Sequence, residues 1–192
     1  MPIVYSLPGT FHWSQEDKGK LISIKSQSLI AYLGDYKLSN IIRTTEAIPK
    51  TSSMFYFEIK IRDCGTNSVL GIGLTQADPN TRSGCFPGWK RYTTLGIGYH
   101  GDDGGIYRQS NKAIERTETF TTGDVAGCFM CQTRIKEEEV TLVQFTKNGQ
   151  KFLSPRIIEN SEWYPTIGMA SPGASISTNF GEGPFVYDPI GI

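Results

Sequence analysis

The sequence predicts an all-β protein, an antiparallel sandwich or barrel, on three observations. First, residues 55–62 (FYFEIKIR) alternate: Phe55, Phe57, Ile59 and Ile61 point one way and Tyr56, Glu58, Lys60 and Arg62 the other. Period-two alternation of aromatic and β-branched residues marks a half-buried strand. Second, similar short runs recur along the chain with turn signals between them. Third, no stretch of ten or more residues carries a 3.6-residue apolar period. Many short strands at close spacing belong to sandwiches and barrels.

Taken in order, the runs are 21–25, 28–33, 55–62, 69–75, 95–100, 125–132, 140–146, 164–170 and 174–180. Lys18–Gly19, Gly34–Asp35, Asp63–Cys64–Gly65, Asp102–Asp103–Gly104–Gly105, Gly123–Asp124 and Ser171–Pro172–Gly173 punctuate them. Asn148–Gly149 is the strongest hairpin signal, because both central positions of a type I′ turn require positive φ. The charge run Lys136–Glu139 is expected at a solvated hairpin tip. A single helical turn at 76–80 is the one marginal exception to the strand reading. The 21 glycines and 10 prolines in 192 residues exceed average usage, as a turn-rich chain requires. No linker, low-complexity tract or internal repeat divides the chain, so residues 1–192 read as one domain with a lead-in over 1–20 and a final strand and tail over 174–192.

Composition limits the function. Lys+Arg and Asp+Glu both number 19, and a general nucleic-acid binder usually carries a basic excess. No apolar run approaches the ~18 residues that a membrane helix needs. The opening MPIVYSLPGT lacks a signal-peptide pattern. Cys64, Cys85, Cys128 and Cys131 are therefore expected to be reduced thiols in the cytosol or nucleus.

Motif chemistry is sparse. Gly96–Gly101 matches G-x-G-x-x-G, but Asp102, Asp103, Gly104 and Gly105 follow where a dinucleotide site needs a helix. The match reads as a strand entering a hairpin, with glycines for close backbone approach. Cys128 and Cys131 form C-x-x-C within a strand pattern, where an offset of three sends the side chains to opposite faces. Zinc needs four converging ligands, so core thiols are the expectation and no metal is called. His100 beside Asp102 and Asp103 suggests an acid–base pair, but no nucleophile elbow accompanies it. Its expected role is to hydrogen-bond the turn. The acids at 102–103 and 137–139 do not form a glycosidase pair, and there is no P-loop.

One resemblance spans nearly the whole chain. Residues 86–107 (FPGWKRYTTLGIGYHGDDGGIY) resemble the central signature of SPRY domains, in the version found in Ran-binding protein M and its relatives. Matches continue in order at Ile48–Pro49, YFEIKI, GIGL at 71–74, FTTGDVAGC at 120–128, FTKNG at 145–149, YPTIGM at 164–169, SPG at 171–173 and NFGEGPFVYD at 179–188, and the entry from Leu7–Pro8 to Asp17–Lys18 is also similar. The resemblance implies a bent two-sheet β-sandwich of concanavalin-like jelly-roll type. It implies a monomeric, non-enzymatic module that needs no cofactor and binds a peptide or folded protein through edge loops, within a scaffold associated with a ubiquitin ligase. The same resemblance assigns the partner surface to Arg43, Thr44 and Thr45, to Asn80, Arg82 and Phe86, to Arg108, and to Ala170, Ser171 and Pro172. Gly98, Gly101 and Gly104 become turn and packing positions, and Trp89 an anchor in the core or under a loop. Two segments depart from the pattern. Residues 128–149 are longer, which should extend a hairpin, and Ser83–Gly84–Cys85 is an insertion in a loop expected to line the site. The alternative function is a phosphate- or RNA-binding SPRY module using Lys90, Arg91 and Arg108.

Overall fold

The computed structural model describes residues 11–26, 28–35, 38–50, 52–76, 86–89 and 95–189. Fourteen strands and no helix occur among them, in two seven-stranded sheets whose paired strands are all antiparallel. The first sheet has the order β1 (Trp13–Lys18), β4 (Asn40–Thr44), β13 (Tyr164–Met169), β6 (Leu70–Thr75), β7 (Gly96–His100), β8 (Gly105–Arg108), β9 (Glu115–Arg116). The second has the order β12 (Gln150–Ile158), β11 (Glu138–Lys147), β10 (Val125–Ile135), β5 (Met54–Asp63), β14 (Ser175–Asn179), β3 (Leu29–Tyr32), β2 (Ile22–Ile24). This is the expected β-sandwich.

Alternation within the strands builds the core. In β5, Phe55, Phe57, Ile59 and Ile61 are all buried and face Leu70, Ile72, Leu74, Ile97, Tyr99, Ile167 and Met169 of the other sheet. Each such side chain contributes on the order of 2 kcal/mol on leaving water. Phe11, Phe55, Phe57, Trp13 and Phe180 form one aromatic cluster, and Tyr99, Phe120, Phe145 and Phe152 another.

Five strands escape the sequence reading: β1, β4, β8, β9 and β12. Strand β1 (WSQEDK) is largely polar and is held by pairing with β4. Every position of β4 is buried, including Arg43. The tip expected over Lys136–Glu139 is tighter than read: only Lys136 and Glu137 lie between Ile135 and its partner Glu138. The helical turn at 76–80 falls mostly outside the described residues.

The topology gives the sandwich two dissimilar ends. At one end β4, β6, β8, β10 and β12 finish, so the connections after β4 (45–53), β8 (109–114) and β12 (159–163) and the tip of the β10–β11 hairpin gather there, and the chain leaves β6 and enters β7 at the same end. At the other end lie the connections 64–69, 101–104, 117–124 and 170–174 and the Asn148–Gly149 hairpin.

Candidate functional site

The loop-bearing end is assembled on two buried anchors. Arg43 points out of the first sheet but is 0% exposed. Its Nε and Nη2 donate to the two carboxylate oxygens of Asp17, both at 2.7 Å, and its Nη1 donates to the Gln76 carbonyl at 2.6 Å. One guanidinium thereby ties β1, β4 and the start of the loop after β6 together. The planar donor fork matches a carboxylate bidentately. The second anchor is Ile48, buried in the 45–53 connection, whose N–H donates to the Trp163 carbonyl at 2.8 Å. Trp163 is itself buried, and its indole N–H donates to the Glu159 carbonyl at 2.9 Å. Arg108 reaches across the open end of the sandwich to the Glu159 carboxylate at 2.9 Å. Arg156 and Glu115 make a further bridge, between β12 and β9.

The expected contact residues separate into three groups. Thr45 is exposed, and Arg108 and Pro172 are half-buried. Arg43, Thr44, Phe86, Ala170 and Ser171 are buried, so their side chains serve the fold. Thr44 donates its hydroxyl to the Glu46 carbonyl at 2.8 Å. The Ser171 hydroxyl donates to the Cys64 carbonyl at 2.7 Å and accepts the Asn67 N–H. Asn80 and Arg82 lie outside the described residues. The geometry also divides the set. Arg43 stands opposite Thr166 in β13, and Ser171 follows five residues later, ~17 Å away at 3.4 Å per residue. Ala170, Ser171 and Pro172 therefore belong to the opposite end, beside the 64–69 connection, and do not join Thr45 and Arg108.

Phe86 to Trp89 fold back onto the outer face of the first sheet. Gly98 and Gly168 make room: a Cβ on Gly98 would lie 2.4 Å from the Pro87 carbonyl oxygen, and one on Gly168 2.7 Å from the Pro87 ring. Phe86 and Tyr107 enclose the His100 ring at centroid distances of 4.7 and 4.2 Å. His100 Nε2–H donates to the Pro87 carbonyl at 2.8 Å. The histidine thus pins the 86–89 segment and does not bond the turn that follows it, as the sequence suggested. Burial lowers its pKa to about 4, against the opposing pull of the Pro87 carbonyl and Asp103. Trp89 is half-buried, with its N–H on the Phe86 carbonyl at 3.1 Å.

His100, Asp102 and Asp103 offer ligand atoms within 4.8 Å of one another, but most of these atoms are already engaged. Asp103 accepts from the Gly105 N–H, the Tyr107 hydroxyl and Arg116. Partial burial opposes its ionisation, and these hydrogen bonds outweigh it, holding the carboxyl below its ordinary range. Asp102 is pushed up by burial and then by the Asp103 charge. Cys128 faces the core, while Cys131 points to the other face of the sheet. The basic patch expected for RNA rests on Lys90 and Arg91, outside the described residues, and on Arg108, which is paired with Glu159.

The SPRY domain model matches residues 54–183, about two thirds of the chain. The chain belongs to the SPRY domain family. Among curated relatives, the SPRY chain is 36% identical over 186 residues to Ran-binding protein 9 of Xenopus laevis, covering 92% of this chain and 31% of that protein. It is 35% identical to human Ran-binding protein 9, covering 92% and 23% respectively. A Ran-binding protein M homolog of Arabidopsis thaliana is 30% identical over 149 residues, covering 77% and 29%. The chain thus spans less than a third of these relatives. Among solved structures, a human SPRY domain superposes with a TM-score of 0.70 at 22% identity, covering 86% of this chain and 98% of that one. The SPRY domain of human HERC1 superposes at 0.63 with 14% identity, covering 91% and 99%. At these identities the structural likeness speaks for the fold.

Proposed function

We propose that this SPRY domain is a non-enzymatic module that holds a peptide or a folded protein partner at the loop-bearing end of its sandwich. In this reading it acts as a monomer in the cytosol or nucleus, as one part of a longer scaffold associated with a ubiquitin ligase. The observation that carries the reading is the contrast within that end. The Arg43–Asp17–Gln76 clamp and the Ile48–Trp163 anchor fix the bases of the loops, while Thr45, Glu46, Pro49, Lys50 and Asn111 stand exposed above them. Loops on a rigid frame can vary in sequence without unfolding their support, and a few anchored contacts suffice for peptide recognition. The family's relatives support an interaction role, and the burial of His100 removes the one base on which an acid–base reading rested.

The test is site-specific photo-crosslinking in the intact chain. A benzophenone side chain at Thr45 or Asn111 is expected to give adducts with other polypeptides at several times the yield of one at Thr122, which is exposed at the opposite end. Equal yields, or adducts confined to Thr122, would overturn the reading.

A further inference from the structure

Strands β10 and β11 run past the rest of the sandwich. β10 pairs with β5 only from Val125 to Cys131, yet its pairing with β11 continues to Ile135 and Glu138. The Gln132 N–H still donates to the Ser53 carbonyl at 3.0 Å, so Thr133–Ile135 and Glu138–Val140 form a two-stranded overhang rooted there, at the loop-bearing end. Beneath it, Lys50 and Ser53 of the 45–53 connection and Asn160 of the 159–163 connection form the facing wall. Together they enclose a groove of about 530 Å³, within the range of ligand-holding clefts.

Three features of this groove point to an occupant. The first is an unsatisfied hydroxyl. Thr141 is 1% exposed, shares the core-facing parity of Val143 and Phe145, lines the groove, and its Oγ1 finds no hydrogen-bond partner. A buried hydroxyl left unpaired is costly, and a small rotation of this side chain towards the groove would let a polar group there pair it. The second is charge. Lys50 and Arg134 both line the groove, and among the described residues neither forms an ion pair. Glu139, the cross-strand neighbour of Arg134, is the one acid in the lining, so the groove carries a net positive charge. The third is hydrogen-bonding capacity: the Gln132 and Asn160 amides offer both donors and acceptors, which suits main-chain N–H and C=O groups. Val140 is the one wholly apolar residue of the lining, its other apolar surface belonging to the stems of polar side chains, and a nucleic acid would find no aromatic platform for its bases.

We propose that this groove is a docking site for an acidic peptide segment, with a carboxylate held between Lys50 and Arg134 and a polar group of the peptide on Thr141. The proposal rests on the interaction-module reading and names the chemistry of one of its contacts.

The experiment probes the intact chain with an array of hexapeptides in which every Asp- or Glu-containing member is matched by its Asn or Gln counterpart. Dissociation constants of the best pairs are then measured by fluorescence anisotropy. Acidic members are expected to bind at least about tenfold tighter than their amide counterparts, and less so as salt rises. K50A/R134A should abolish that preference, and K50E/R134E should transfer it to Lys- and Arg-containing peptides, a gain that misfolding cannot produce. Thr141→Val should weaken binding at least about threefold while leaving urea stability unchanged or raised, the opposite of a merely structural role. Equal binding of acidic and amide peptides would overturn the proposal. So would an acidic preference that survives K50A/R134A, and that outcome would leave the interaction-module reading standing on another surface. Loss of the crosslinking contrast between Thr45 and Thr122 would instead remove the broader reading.

Discussion

His100 shows how a residue type that suggests catalysis is used for architecture. Its ring fills the space between Phe86 and Tyr107, and its Nε2–H holds the Pro87 carbonyl. The neutral form is required, and the pKa near 4 follows from burial. In the unfolded chain an ordinary histidine titrates at about 6.5. Between these values the unfolded state binds a proton that the folded state does not, so His100 makes stability fall as pH drops from about 6.5 to 4 and contributes no slope above. At ~1.4 kcal/mol per unit, the effect is on the order of 3 kcal/mol. Gln keeps a donor for Pro87 and does not titrate. Urea unfolding of wild type and His100→Gln is therefore expected to show the two stabilities converging over this window, whereas parallel profiles would contradict the assignment. Arg43 makes the same point by a different route. The resemblance assigns Arg43 to the partner surface, and its guanidinium is instead spent on Asp17 inside the molecule. Asp17 and Arg43 lie 26 positions apart, so no local sequence pattern pairs them.

Among the elements, the β10–β11 and β11–β12 hairpins of the second sheet make a controlled pair. Asn148 and Gly149 take φ values of 50° and 79°, as the type I′ signature predicts. Lys136 and Glu137 take 49° and 71° in the same kind of two-residue connection, with residues poorly suited to it. Left-handed backbone costs an ordinary L-residue ~1–2 kcal/mol. Replacing the pair by Asn-Gly is therefore expected to stabilise the protein by about 1 kcal/mol and to raise Tm by roughly 2–4 °C. A fall in Tm on calorimetry would show that the tip is held by something other than local conformation. These hairpins also show what the sequence makes legible. Period-two alternation located β5, and turn chemistry located Asn148–Gly149, because both signals are local. Strand β4 was invisible because it is buried on both faces, with an arginine in the run. Strand β12 was invisible because Pro155 and its charged neighbours suit only an edge position, a property of sheet order. The resemblance places Phe86 and Ser171 on a partner surface, whereas in the fold both side chains are buried. The groove under the β10–β11 overhang carries no motif. The longer 128–149 segment was its only trace in the sequence.

At the scale of the whole molecule, the sandwich has two unlike ends. One is closed by short turns, braced by Asp103 with Tyr107 and Arg116 and by Ser171 with Cys64. The other carries the crossings β4 to β5 and β12 to β13 and the hairpin overhang, over buried anchors. The central claim is that partners are gripped at this second end without rearrangement of the strands. Hydrogen–deuterium exchange of the intact chain, alone and with a bound protein partner, tests it most directly. The account predicts added protection in 45–50, 109–114, 132–140 and 159–162, with strands β5, β6, β7 and β13 unchanged. Protection concentrated in 64–69 and 171–173, or a change spread through the core strands, would contradict it.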